Sequence, residues 1–547
     1  MELNKRTVLW IVFAISLIVL WNNWMVANGK QSLFSPAPPA KVAQQQAKPN
    51  DVPAAAAQPG AAAVPGAPAP AAAPASQRVT ITTDVVKVDI DTLGGVVKRL
   101  ELLKFPDHFD KKKNQVLFNV NGPNVYLGQT GLTGGAMPNH QTPFTARPGI
   151  RTLDANGAVQ LVLDAEQGGV RLTKTFTFKK GDYTIGVRHD VTNLSQAPVQ
   201  PSLYLQLQHD GNKPANDSWF MSSYTGPTLY TAEDKYQKLT FEKIEKGSAE
   251  HSTKANNGWI AISQHFFVSA FIPADKAQRD IYTKKIANNL YAIGTVLPLG
   301  AVAPGATVSS DSRLYSGPQD EKTLETIAPG LELVKDYGWL TIIAKPIFWV
   351  MDHLHSLLGN WGWTIVALTI LIKLAFFPLS AAGYRSMAKM RVVTPKMQAI
   401  RERYKNDPQK MQQATMELYK TEKINPLGGC LPILVQMPVF FALYWVLQSS
   451  VEMRGAPWIL WITDLTQPDP FYILPIVYAV SMFITTKLNP QPTDPVQAKM
   501  MLFMPLAFSV IFFFFPSGLV LYWVVNNILS IAQQWVITKK FEAAPAK

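Results

Sequence analysis

Residues 370–380 read ILIKLAFFPLS, a single lysine inside an otherwise apolar run. With the residues before it, from 359, the run is long enough to cross a bilayer, whose hydrocarbon core takes about 20 helical residues. A lysine at mid-membrane costs roughly 2.5–3.5 kcal/mol, and each leucine or isoleucine offsets only about 0.3–0.6 kcal/mol of that. Lys373 is therefore a functional candidate by default. Pro378, five residues on, marks a break in the helix.

The rest of the chain decides what surrounds this lysine. Further apolar segments lie near 430–448, 471–486, 500–515 and 518–537, after a first core segment at 361–380. The chain opens MELNKRTVLWIVFAISLIVLWNNW, a basic start followed by an apolar run that ends in tryptophans. This reads as an uncleaved anchor; a cleaved signal peptide is the alternative, weakened by the lack of a small-x-small cleavage site. Six spans result. None contains Asp or Glu, and no other Lys, Arg or His lies inside them.

Buried charges are normally paired, so three readings of Lys373 stand. Its stem could lie along the helix and deliver the ammonium to the interface, since Arg385 is 12 residues ahead, about 18 Å of helix. It could face a hydrated cavity, or the missing acid could arrive with a guest. The last two together describe a water-filled groove that receives a partly polar chain. Thr369, Gln436 and Asn526 are the expected polar lining, with Ser517, Asn527, Gln533 and Gln534 as further polar residues in or beside the spans. Met437, Phe440, Tyr522 and Trp523 are the expected apolar contacts for a guest span. The 16-residue segments 471–486 and 500–515 would reach only about 24 Å, which favours local thinning of the bilayer.

Outside the spans the chain has distinct parts. Over its 547 residues, a 47% hydrophobic content and a mean hydropathy of only +0.04 describe spans averaged with a polar domain. Residues 35–77 hold 17 Ala and 10 Pro without an aromatic, the composition of a disordered or polyproline tether. From 78 to 325, segments such as RVTITTDVVKVDI and RLTKTFTFKKGDYTIGVRHDVTN alternate with period two between Gly, Asn and Asp breaks, which predicts a large antiparallel β-sandwich. Residues 331–358 return to helical spacing with many aromatics, as a helix lying in the membrane interface does, with Pro346 expected to break or kink it. The stretch 384–425 predicts two helices, the second capped by Asp407 with Pro408 at its first position. Its five methionines suit a surface for varied apolar partners, or pack the hairpin against itself.

Charge orients the chain. The loop 381–429 carries a net +6 and the loop 451–470 a net −2, and Lys487, Lys499, Lys539 and Lys540 flank the remaining spans on the basic side. Basic loops collect in the cytoplasm, so both termini are expected there and the β-domain outside. The overall charge of +13 fits anionic headgroups and loop asymmetry, and gives no ground for a specific nucleic-acid sequence as partner. With Cys430 alone, no intrachain disulfide is possible. His353 and His355 are two apart, which is not one helix face, and no other ligand cluster joins them, so no metal is expected. No Gly-rich phosphate loop implies a nucleotide. No enzyme motif and no cofactor site emerge.

The segments NPLGGCLPILVQMPVFFALYWVL (425–447), FPSGLVLYWVVNN (515–527) and GNWGWTIVALTILIKLAFFPLS (359–380) resemble the YidC membrane protein insertase family, as does the basic hairpin that follows the last of these. The anchor, tether and external β-domain resemble the Gram-negative form of that family. The resemblance implies an insertase and chaperone of the bacterial inner membrane, not an enzyme. It would act on nascent membrane-protein clients, alone or beside the Sec translocon, with a ribosome and anionic lipids as possible partners of the hairpin. It implies that Lys373 supplies the groove charge, where the family typically has Arg. It also implies a periplasmic β-supersandwich related in fold to sugar mutarotases, without their catalysis. The expected fold class is a polytopic helical membrane protein with six spans, a large extracytoplasmic antiparallel β-sandwich and a cytoplasmic helical hairpin. The expected division is anchor 1–27, tether 28–77, β-domain 78–325, interfacial helix 331–358, five-helix core 359–540 and tail 541–547. A small-solute transporter is the rival reading; the chain shows no inverted repeat and no intramembrane acid for proton coupling.

Overall fold

The computed structural model describes residues 52–53, 76–107, 110–120, 124–214, 224–274, 276–422, 431–489 and 495–542. The expected anchor 1–27, nearly all of the tether, Cys430 and most of the tail lie outside them. The chain divides into two units, Met1–Val334 and Lys335–Lys547.

The first unit is a sandwich of two antiparallel sheets. One sheet orders its strands β1 (Arg78–Thr82), β2 (Val86–Asp91), β3 (Val96–Pro106), β5 (Tyr126–Thr133), β10 (Ser202–Asp210), β17 (Leu290–Pro298), β16 (Arg279–Ala287) and β13 (Lys254–Ala255), with β4 (Asn114–Val116) paired to β3. The other runs β12 (Lys235–Lys238), β11 (Gly226–Thr231), β14 (Trp259–Ser263), β15 (Phe267–Pro273), β18 (Thr307–Pro318), β9 (Thr184–Asn193), β8 (Val170–Lys179), β7 (Ala158–Gln167) and β6 (Thr145–Ala146). Alternation produces the core directly: in β8, Val170, Leu172, Lys174, Phe176 and Phe178 are buried while Arg171, Thr173, Thr175 and Thr177 are not. Two short helices, α1 (Phe241–Glu245) and α2 (Glu321–Ile327), join the sandwich. Leu324, Leu331 and Val334 pack on Trp259, Ala270 and Tyr315, which closes one face of the second sheet.

The alternation of β8 also carries Lys174 inward. Its side chain is fully buried, and its ammonium donates to the carbonyls of Gly94 (2.7 Å) and Thr130 (2.6 Å) and lies 4.7 Å from the Phe144 ring centroid. Among the described residues no carboxylate pairs with it. His189 Nε2 lies 2.9 Å from the Thr130 hydroxyl, and His140 Nδ1 lies 2.5 Å from the Tyr204 hydroxyl. Burial pushes the Lys174 ammonium down to about 7. Burial, then the charge of Lys174, pushes His189 down to about 3 and His140 to about 4.

The second unit is helical. It contains α3 (Thr341–Leu358), α4 (Trp361–Ala375), α5 (Phe377–Arg403), α6 (Pro408–Thr421), α7 (Leu431–Ser449), α8 (Ile473–Leu488), α9 (Pro495–Ser509) and α10 (Ser517–Glu542). Among the described residues one helix, at Ser517–Lys540, is long and apolar enough to cross a membrane by itself, and the pair α4–α5 passes the same criterion together. Phe348, Ile365, Leu368, Leu443, Val446 and Leu519 belong to one shared core.

Three boundaries differ from the sequence reading. The 331–358 segment is two 3₁₀ turns, Leu331–Val334 and Gly338–Leu340, followed by α3, which runs on through Pro346. Gly338 has φ +65°, and a Cβ there would lie 2.9 Å from the Trp445 indole, so both conformation and space call for glycine. The break expected at Pro378 falls two residues earlier, at Phe376, because Pro378 fits the first turn of a new helix. That helix, α5, then continues to Arg403, so the end of the expected span and the first arm of the hairpin are one element. Asp407 caps α6 by accepting from the Lys410 N–H (3.1 Å), and Lys396 pairs with Glu422 at 2.5 Å across the hairpin.

Lys335 is buried, with its ammonium 2.8 Å from Glu452 and 3.8 Å from the Phe348 ring centroid. This pair ties the entry to α3 to the turn after α7. Glu452→Gln keeps the shape and removes the counter-charge. It is expected to lower stability of the solubilised chain by about 1.5–3 kcal/mol, the worth of a hydrogen bond to a charged group. Lys335→Met combined with Glu452→Gln should recover most of the loss in thermal unfolding, since the buried charge is then gone.

Candidate functional site

Asn360 starts α4 by accepting from the Trp363 N–H (3.1 Å), and the helix buries Trp361, Thr364, Ile365, Leu368 and Thr369 on one face. It ends one residue before α5, and the two axes differ by 67°. Lys373 sits in the last turn before this bend, where the carbonyl end of the helix favours a cation. Its ammonium donates to the Ser530 hydroxyl on α10 at 2.7 Å, and Ser530 donates in turn to the Asn526 carbonyl at 2.7 Å. Tyr384, on α5, lies beside the same hydroxyl. Three helices thus converge on one hydroxyl. Among the described residues no carboxylate pairs with Lys373.

A polar stripe continues along α10. Tyr522, Asn526 and Ser530 are four residues apart and share a face, with Gln533 continuing it. Tyr522 accepts from the Gln436 side-chain amide of α7. The Asn526 side-chain oxygen and the Gln533 amide nitrogen are buried with no hydrogen-bond partner among the described residues. On the adjacent face, Asn527 donates to Ser481 of α8 (3.2 Å), and Gln534 and Arg391 both reach the Leu488 carbonyl that ends α8.

The candidate residues therefore separate into three groups. Lys373, Asn526 and, one turn along, Gln436 with Tyr522 lie on the polar interior of α4, α7 and α10. Thr369 is buried and satisfied within its own helix, its hydroxyl donating to the Ile365 carbonyl at 2.7 Å. Met437 is 41% exposed, and Phe440 and Trp523 form a half-buried aromatic pair with centroids 4.9 Å apart. Tyr522 is placed apart from them: at 1% exposure it faces inward, with the polar set. Ser530 and Tyr384 are additions. The signal that finds Ser530 is its i+4 spacing from Asn526. His353 bonds the Trp349 carbonyl (2.8 Å) and His355 stacks on Trp361, so each is engaged locally.

Two family models cover the described chain: "60Kd inner membrane protein" matches residues 353–544, and "YidC periplasmic domain" matches residues 78–350. A membrane protein insertase YidC of Janthinobacterium sp. (strain Marseille) is 60% identical over 98% of this chain and 99% of its own length. The chain belongs to the YidC membrane protein insertase family. The YidC of Herminiimonas arsenicoxydans is likewise 60% identical over 99% of both chains, and that of Bordetella pertussis 53% over 99% of both. A crystal structure titled as an active YidC insertase with its first transmembrane domain resolved aligns over 84% of this chain and 92% of its own, at 19% identity and a TM-score of 0.40.

Proposed function

We propose that this chain inserts and chaperones integral membrane proteins from the cytoplasmic side, alone or with the Sec translocon, through a positively charged groove open to lipid. The observation that carries the reading is the half-buried Lys373 ammonium, held by the Ser530 hydroxyl with no carboxylate among the described residues, on a helix facing the Asn526 side-chain oxygen, which is buried with no hydrogen-bond partner among them. Such a pair suits a site whose partner comes and goes. Membership of the YidC family supports the same conclusion.

A client hairpin enters from the cytoplasm, and its short translocated segment, often acidic, is drawn to Lys373, with Gln436 and Asn526 replacing lost water. The apolar client span slides past Met437, Phe440 and Trp523 into lipid, and hydrophobic burial with the membrane potential drives release. In this reading six spans cross the inner membrane, both termini and the α5–α6 hairpin lie in the cytoplasm, and the sandwich lies in the periplasm. The exposed Ile342, Trp349 and Leu357 of α3 rest in the interface, and the basic hairpin meets anionic lipid and a ribosome.

The deciding experiment places cysteine at 373 in a Cys430→Ser background and adds a charged, membrane-impermeant thiol reagent from each side of intact membranes. Labelling from the cytoplasm alone is expected. Labelling from both sides would instead describe a pore, and no labelling would end the groove. A second test is Ser530→Ala, which leaves the charge but frees the ammonium. Insertion of a client with an acidic translocated segment should fall about fivefold, the worth of roughly 1 kcal/mol in one hydrogen bond.

A further inference from the structure

Within the Ala/Pro-rich stretch 28–77, Val52 and Pro53 are described well before Ser76 and Gln77, which lead into β1. Pro53 is buried, and its carbonyl accepts from the Thr133 hydroxyl at 2.7 Å. Thr133 is the last residue of β5, paired with Ser202 of β10, and is 7% exposed. Thr130 points between the sheets at His189. Thr133, an odd number of residues away, therefore points to the opposite, outer face of its sheet. The chain leaves at once through Gly134 and Gly135, at φ +111° and +155°, where a Cβ on Gly134 would lie 2.9 Å from the Gln200 carbonyl. Thr133 is thus a donor at a sheet corner beside a pair of residues without side chains. A proline suits such a place, since it has no N–H to satisfy and a preset φ.

We infer that Val52–Pro53 is a docking segment: the tether is pinned to the outer corner of the first sheet at Thr133, so that the reach between anchor and sandwich is set by the length of 28–51. About 24 residues, 28–51, then separate the expected anchor from the docked segment, and 54–75 connect it to Ser76 and Gln77, which bond Asp91 and Thr92 of the sandwich. A flexible chain of that length spans roughly 27 Å on average, against roughly 39 Å for the whole tether. Shortening 28–51 would therefore restrict the sandwich, and shortening 54–75 would not.

The test uses pairs of spin labels in the full chain carrying Cys430→Ser. One label sits at Gln160→Cys, exposed on β7, and the other at Val52→Cys or Ala62→Cys. The 52–160 distance distribution is expected to be at least twofold narrower than the 62–160 distribution. Thr133→Val, which keeps the shape and removes the donor, should broaden the 52–160 distribution to match, and Thr133→Ser should keep it narrow. Equal widths at 52 and 62 in the otherwise unaltered chain, or a 52–160 distribution that stays narrow in Thr133→Val, would overturn the inference.

Discussion

Lys373→Ala is expected to reduce insertion of clients with an acidic translocated segment at least tenfold, while Lys373→Arg retains most of it. A tenfold loss corresponds to about 1.4 kcal/mol, well within the interaction of two unit charges about 4 Å apart at a half-solvated site, roughly 4 kcal/mol. Arginine keeps the charge and can reach Ser530, so the variant separates charge from the geometry of a single donor. Clients whose translocated segment is uncharged should lose no more than about threefold with Lys373→Ala, because only their desolvation is affected. Insertion into proteoliposomes, read by protease protection of the client, makes both comparisons. If acidic clients inserted at the normal rate without the ammonium, the charge would have no part in their capture.

The second large effect is a stability that rises with pH. Lys174 is depressed to about 7 in the folded sandwich, and an unfolded lysine titrates near 10.5. Between these values the unfolded chain binds a proton that the folded one does not, so stability increases by roughly 1.4 kcal/mol per pH unit. Below about 7 the full cost of the buried ammonium is present. From pH 7 to 9 the sandwich transition of the solubilised chain should therefore rise by roughly 5–10 °C, and Lys174→Met should abolish the rise. His140 and His189 act in a different window. Both stay neutral when folded, down to about 4 and about 3, but protonate near 6.5 when unfolded. Stability must then fall as pH drops below 6.5, by up to two protons' worth per unit, in the original chain and in Lys174→Met alike. A transition flat between pH 7 and 9 would mean that Lys174 keeps its proton through other contacts.

How much of this is legible in the sequence varies with the distance over which a feature is decided. The sandwich is legible because period-two alternation is local, and the same alternation in VRLTKTFTFK places Lys174 with Val170 and Phe176 on the inward face. The bend is legible from Pro378, though its position is not. Proline dictates where a helix can begin, but the preceding helix can end anywhere in the turn before. Pro346 and Pro395 show the limit of that argument, since α3 and α5 run through them where packing holds the helix together. Lys335 with Glu452 is illegible: 117 residues separate them, and only the packing of α3 on α7 brings them together. Ser530 is hidden for a different reason. Serine is ordinary in a helix, and only its register with Tyr522 and Asn526 distinguishes it.

The ends of the two sheets have a consequence for a protein that works among incompletely folded chains. The terminal strands β1, β13, β12 and β6 contain five, two, four and two residues. A bare strand edge is a template on which any extended segment can add itself by main-chain hydrogen bonds. Strands this short offer little contiguous edge of their own to an extended segment. Short terminal strands are one of the means by which a sheet protein limits the addition of foreign segments to its own edges.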